Sequence, residues 1–134
     1  MGLSSGKGKG VIVMTETDIQ NQIRVAVSGE CAIFRTNAGE LWQGKVVWSK
    51  EFQQNVLIRL RRVSGLPAGY SDLSGVRKSD GRAVFIEVKT PKGVVSEDQK
   101  HFLHQMRECH AVAGVARNVE DALRLIGGEP DDIG

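Results

Sequence analysis

Residues 69–99 read GYSDLSGVRKSDGRAVFIEVKTPKGVVSEDQ, and the fold follows from how this stretch divides. Ala83 to Thr90 is β-branched and aromatic and lies between Gly81 and Pro91, which predicts a strand. Strand side chains alternate, so Val84, Ile86 and Val88 share one face while Phe85, Glu87 and Lys89 share the other. Asp80-Gly81 is a tight turn, and ahead of it Asp72 opens the neighbouring strand of a hairpin. Charges on so apolar a strand are costly to bury unless they are paired or hold a cation. The plain reading of Glu87 and Lys89 is an ion pair at a strand end. Asp72 adds a second reading, because two carboxylates at adjoining strand ends can share one hard cation, with water filling its remaining positions. Downstream, Ser96 predicts the N-cap of a helix whose buried stripe is Phe102, Leu103 and Met106. Gln99 falls on that stripe, and its plain role is the reciprocal half of a capping box with Ser96.

Working outward, Thr15 to Ser28 carries Ile19, Ile23, Ala26 and Val27 at helical spacing, with an N-cap at Thr15 or at Thr17. Glu16 sits at the start of this helix, where an acid suits the dipole in any case. Cys31 to Asn37 alternates as a strand and turns at Asn37-Ala38-Gly39 into Leu41 to Trp48. A further strand over Asn55 to Leu60 would close a hairpin around Ser49 to Gln54. Ala111 to Arg117 predicts a short buried strand, and Val119 to Ile126 a closing helix capped by Asn118. The order helix, strand, hairpin, strand, strand, helix, strand, helix packs most economically as a mixed β-sheet flanked by α-helices. A right-handed crossover should lead from the Glu87 strand through the Ser96 helix to the Ala111 strand.

With 134 residues and a composition 40% hydrophobic and 25% charged, the chain predicts one soluble domain over residues 15–127. Residues 1–14, rich in Gly, Ser and Lys, are expected to form a disordered leader, with Met14 an alternative start, and residues 128–134 an acidic flexible tail. No apolar run approaches the ~18 residues of a membrane span, so no membrane partner is expected and the location should be cytoplasmic. Cys31 and Cys109 are far apart with no C-x-x-C, which suggests two reduced, packed thiols. His101, His104 and His110 share a helix or its end and cannot converge into a zinc site unaided, so they read as surface residues. Trp42 and Trp48 read as ordinary packing, with an exposed pair at a dimer or DNA surface as the alternative. The net charge of +2 is too small to argue for a polyanion partner. Local clusters say more: Arg59, Arg61 and Arg62, then Arg77 and Lys78, then Lys89 and Lys92, flank the Asp72–Glu87 region in sequence and together suggest a phosphate-binding face.

Asp72 followed by Glu87-Val88-Lys89 resembles the core of the PD-(D/E)XK nucleases, with Ser71 where the motif's Pro usually stands. Gly69 to Asp72, the E-V-K, Ser96-x-x-Gln99, and Glu16 with Asp18-Ile19-Gln20 together resemble the VRR-NUC subfamily, the virus-type replication and repair nuclease module, over roughly Thr15 to Leu125. The resemblance implies an α/β fold with a restriction-endonuclease-like PD-(D/E)XK core. It implies that Asp72, Glu87 and the backbone carbonyl of Val88 hold Mg²⁺ or Mn²⁺, with Glu16 helping directly or through water. Lys89 would stabilise the transition state and Gln99 would orient water or phosphate. Arg35 matches an arginine close to the family's catalytic face, and Arg35, Arg59, Arg61, Arg62, Arg77, Lys78 and Lys92 become the expected DNA contacts. Stand-alone phage and bacterial members resemble homodimeric Holliday-junction resolvases, which makes a four-way junction in a bacterial or phage-infected cell the expected substrate. Flap or nicking activity on other branched DNA, or a non-catalytic DNA clamp, are the alternatives.

Overall fold

The computed structural model describes residues 13–36, 41–63, 65–129 and 133. The elements run α1 (Glu16–Val27), β1 (Cys31–Arg35), β2 (Leu41–Ser49), β3 (Gln54–Val63), β4 (Leu73–Arg77), β5 (Ala83–Val88), α2 (Glu97–Glu108), β6 (Val112–Ala116) and α3 (Val119–Ile126). Four strands form a mixed sheet in the order β1-β4-β5-β6, the first two pairings antiparallel and the last parallel through the α2 crossover. The fold is the mixed α/β one expected. The expected leader up to residue 12 and the Asn37-Ala38-Gly39 turn lie outside the described residues. Among the described residues no helix is long and apolar enough to cross a membrane.

The period-two alternation of β5 decides which helix covers which face. Val84, Ile86 and Val88 are fully buried with Ile19, Ile23 and Val27 of α1 and Ala122, Leu125 and Ile126 of α3. On the opposite face Phe85 packs with Phe102 and Leu103 of α2 and with Ala113 and Val115 of β6. Ile133 is 4% exposed and belongs to this second cluster, while residues 130–132 and 134 of the expected tail lie outside the described residues.

Side-chain caps set the helix starts. Thr15 caps α1, its hydroxyl accepting from the Asp18 amide at 3.1 Å while Asp18 accepts from the Thr15 amide at 3.0 Å, which resolves the choice between Thr15 and Thr17. Ser96 and Gln99 close the same box on α2. Ser96→Ala should cost about 1 kcal/mol, read as a melting point lower by roughly 4 °C, because the Gln99 amide loses its acceptor.

Two expectations about packing fail. Trp42 and Trp48 are 51% and 59% exposed, because β2 and β3 pair only with each other in a separate two-stranded sheet, and no residue of this ribbon joins either core cluster. Cys31 is buried, and its thiol is pushed up chiefly by that burial, but Cys109 is exposed because it lies at the C-cap of α2, beyond the buried stripe.

Candidate active site

Asp72 lies one step before the Leu73–Ile86 pair, which places it across from Glu87 at the end of the β4–β5 ladder. Its Oδ2 accepts the Val88 amide at 2.9 Å, so the carboxylate is fixed against the very strand that carries Glu87. In an extended strand a residue's N–H and C=O point to the same side, so the Val88 carbonyl faces Asp72 as well. The loop leading to Asp72 is held by a ring cluster. Tyr70 packs edge-on to Phe85 at 5.8 Å and tilted against Phe102 at 4.8 Å, and Phe85 meets Phe102 edge-on at 5.4 Å. Asp72 is thus positioned by β5 and α2 together.

Glu87 is 1% exposed. Its Oε2 accepts from Gln99 Nε2 at 2.9 Å and lies 3.7 Å from Lys89 Nζ, while its Oε1 is buried with no hydrogen-bond partner. Gln99 takes the capping-box role, its Oε1 accepting from the Ser96 amide, and its Nε2 donates to Glu87, a contact the sequence reading did not name. Lys89 extends from just past the end of β5, its own amide donating to Ala116. Glu16, at the first turn of α1, is close enough to feel the charges of both Asp72 and Lys89.

These contacts set the protonation of the site. Burial first, then the negative charge and hydrogen-bonding contact of Asp72, push Glu87 up to about 8; Lys89 pulls it down and does not outweigh them. Glu16 is raised too, by burial and then by Asp72. Without a cation, then, Glu87 keeps a proton at neutral pH. A group whose carboxyl is raised on folding contributes stability that is complete below its ordinary 4.5 and lost as pH climbs through about 8. The metal-free protein should therefore lose stability between those values, and denaturant midpoints taken in chelator at pH 5, 7 and 9 should fall in that order. Asp80, held down to about 2 by Arg77, acts in the other direction and only below this window, where its stabilisation is lost as pH falls.

The donor set fits a hard divalent cation. A free buried oxygen on Glu87, the Asp72 carboxylate and the Val88 carbonyl supply three oxygens, and such ions keep several waters of their own. Among the described residues no three His, Cys, Asp or Glu side chains form a ready-made cage, so Glu16 does not join Asp72 and Glu87 as a third carboxylate there. Besides Glu87 Oε1, the buried side-chain atoms without a hydrogen-bond partner among the described residues are Ser71 Oγ, in the residue before Asp72, and Gln20 Oε1, one helical turn after Glu16.

The other predicted residues separate. Arg35 ends β1 opposite Leu73, next to Asp72, and Lys92 is exposed in the turn beyond Lys89. Arg77 and Lys78 do not flank the site. They lie at the far end of β4, roughly 16 Å of strand from Asp72. Arg77 is bound there by Asp80 through both Nε and Nη2 and donates to the Ile126 carbonyl, while Lys78 reaches the Ser28 carbonyl. Closeness in sequence misled because a strand carries its two termini to opposite ends of the sheet. Arg59, Arg61 and Arg62 lie on β3, in the ribbon. One residue escaped the sequence reading. Arg117 donates to the carbonyls of Thr90 at 2.6 Å and Gly93 at 2.8 Å and so ties down the turn after Lys89, a contact across more than twenty residues that no local pattern announces.

A family model described as the VRR-NUC domain matches residues 20–120. The chain belongs to the VRR-NUC family. No curated protein matches it. As a VRR-NUC domain it is a nuclease with DNA as its substrate, and nucleases of this type generally use divalent metals. The match begins at Gln20 and ends at Glu120, so it takes in Asp72, Glu87, Lys89 and Gln99, while Glu16 lies just ahead of it.

Proposed function

We propose that this VRR-NUC domain is an endonuclease dependent on Mg²⁺ or Mn²⁺ that cuts four-way DNA junctions as a homodimer of the stand-alone phage or bacterial type. The observation that carries the catalytic reading is Glu87. It is a buried carboxyl set across from Asp72 and beside Lys89, and the cost of ionising it there is one that a bound cation would offset. Asp72, Glu87 and the Val88 carbonyl would hold the cation, with Glu16 nearby. When bound, a divalent ion supplies a water acidic enough to attack at neutral pH and neutralises charge on the phosphate. The Lys89 ammonium is placed to stabilise negative charge on the phosphate as the transition state forms. Gln99 holds Glu87 in place from a rigid helix start and can orient water or phosphate. Arg35 and Lys92, exposed beside the site, would bind the backbone without reading sequence. Two copies related by a twofold axis suit the two equivalent strands of a four-way junction.

The test uses labelled four-way junction, flap and plain duplex with Mg²⁺, Mn²⁺ or EDTA, alongside Asp72→Ala and Lys89→Ala. Paired symmetric nicks in the junction are expected. They should vanish in EDTA and fall at least ~100-fold in either variant. If all three DNAs bind and none is cut with any metal, the reading is wrong and the domain is a DNA clamp.

A further inference from the structure

The strand that carries Glu87 and Lys89 runs into T-P-K-G, residues 90–93, which is turn chemistry: Pro91 fixes the first central position of a β-turn and Gly93 suits the last. The Gly93 amide donates to the Thr90 carbonyl at 3.0 Å and closes the turn. Its backbone lies against the root of Lys89. A Cβ added to Gly93 would stand 3.4 Å from the Lys89 Cβ and 3.3 Å from the Thr90 nitrogen, so the path of the turn and the direction in which Lys89 leaves the strand are set together. The carbonyls of so short a turn need partners from elsewhere, and three of them converge on one atom. Nη1 of Arg117 donates to the oxygens of Thr90 at 2.6 Å and Gly93 at 2.8 Å, with that of Pro91 at 3.3 Å. Arg117 is itself fixed just past β6, its amide donating to Asp121 Oδ2 at 3.0 Å, and the carbonyl of Ala116 before it accepts the Lys89 amide at 3.1 Å. Two consecutive residues, Ala116 and Arg117, thus hold the Lys89 backbone on one side and the turn that follows it on the other.

We propose that Arg117 is a positioning residue for cleavage: its guanidinium clamps residues 90–93 and so keeps the Lys89 ammonium at the catalytic carboxylates, 3.7 Å from Glu87 Oε2. This rests on the catalytic role of Lys89 proposed above and adds what fixes it. A lysine reaches its target through a flexible four-carbon stem, so its ammonium is only as well placed as the backbone it springs from. The contact with Glu87 does not hold it alone, since at 3.7 Å it is an ion pair without a hydrogen bond. Two charge-assisted bonds to the first and last carbonyls of the turn stop the turn from opening. With the guanidinium removed, those carbonyl dipoles lose their shared partner, and the turn relieves this by swinging away from β6 towards water. A shift of about an ångström at the base of a catalytic side chain is enough to lower a rate ~100-fold. Among the described residues every side-chain bond of Arg117 goes to this one turn, so its loss falls on Lys89 and not on the core.

The experiment combines cleavage of branched DNA by the full chain with amide hydrogen exchange of the free protein. Arg117→Ala is expected to lower kcat ~30-fold and to shift KM less than ~3-fold. Guanidinium ion at ~10 mM, far below the molar range in which it denatures, should restore much of that rate by refilling the place of the lost side chain. In a Lys89→Ala background the same substitution should slow the residual cleavage less than ~2-fold further, because the group it positions is already gone. The Gly93 amide should exchange ~10-fold faster in Arg117→Ala while the β4–β5 ladder keeps its protection. If Arg117→Ala does not fold, Arg117→Lys carries the same comparisons with a smaller loss, since an ammonium keeps the charge without the fork. A kcat equal to the parent's overturns the proposal, as does a rate loss with Gly93 protection unchanged. So does a loss repeated in full on top of Lys89→Ala, which makes Arg117 a general support of the fold. A parent that cuts beside an Arg117→Ala that cuts as well refutes this role alone, whereas a parent that cuts nothing with any metal refutes the catalytic reading beneath it.

Discussion

Glu87→Gln is expected to lower cleavage by ~10³-fold and, in the same preparation, to make the metal-free protein more stable at pH 8. The two effects have one cause. The buried carboxyl is held far above its ordinary value by burial and by Asp72, so ionising it at pH 8 works against the fold. Glutamine is neutral, nearly isosteric, and can still accept the Gln99 bond through its carbonyl. Removing the titration should raise stability by on the order of 2 kcal/mol at pH 8, discounted for the charge sharing with Asp72, and should flatten the fall of stability between pH 5 and 9. The anionic ligand is lost at the same time, and with it the site's hold on a divalent cation. Melting curves in EDTA at pH 5 and pH 8, with cleavage assayed in parallel, decide it. Equal stability at pH 8 would sink the account of Glu87 as a strained, ligand-ready carboxyl, and cleavage within tenfold of the parent would remove Glu87 from catalysis.

Gly69→Ala should be nearly as damaging, through geometry and not charge. Gly69 has a φ of +83°, and a Cβ there would come within 2.3 Å of the Asp98 carbonyl oxygen, 2.4 Å of its carbon and 2.9 Å of the Gln99 nitrogen. All three are backbone atoms at the start of α2 and cannot step aside. The loop must lift off the helix, and Asp72 moves relative to Gln99 and Glu87. Strain and clash together should cost ~3 kcal/mol or more, and a displacement of about an ångström is enough to lower cleavage ~100-fold. Gly81→Ala separates the two causes. Its φ is +77°, with nothing within 4 Å of the added Cβ, so it should lose only about 1 kcal/mol and keep its activity. If the two alanine variants melted together, close packing of the Gly69 loop on α2 would not be what places Asp72.

The two variants act on the same few residues, and those residues are where sequence and structure agree most closely. Asp72, Glu87, Lys89 and Gln99 were legible because each depends on local rules. Alternation puts Glu87 and Lys89 on one face of β5, a hairpin turn brings Asp72 to the adjoining strand end, and a capping box fixes Gln99 at the first turn of α2. Arg77 and Lys78 were legible as charges and misplaced as site residues. Arg117 and its grip on the Thr90–Gly93 turn left no trace, since its carbonyl partners lie far away in the chain.

By itself, then, the sequence determined the elements, the caps of the second and third helices, the two faces of the central strand and the pairing of Asp72 with Glu87. All of these are settled within a turn of helix or one hairpin. Only the tertiary structure decided which apolar faces are covered. The alternation that buries Val84, Ile86 and Val88 under two helices leaves Trp42, Val46 and Trp48 in solvent, because β2 and β3 pair with each other and not with the sheet. A hydrophobic pattern states that a face must be buried, and the order of strands in space states against what.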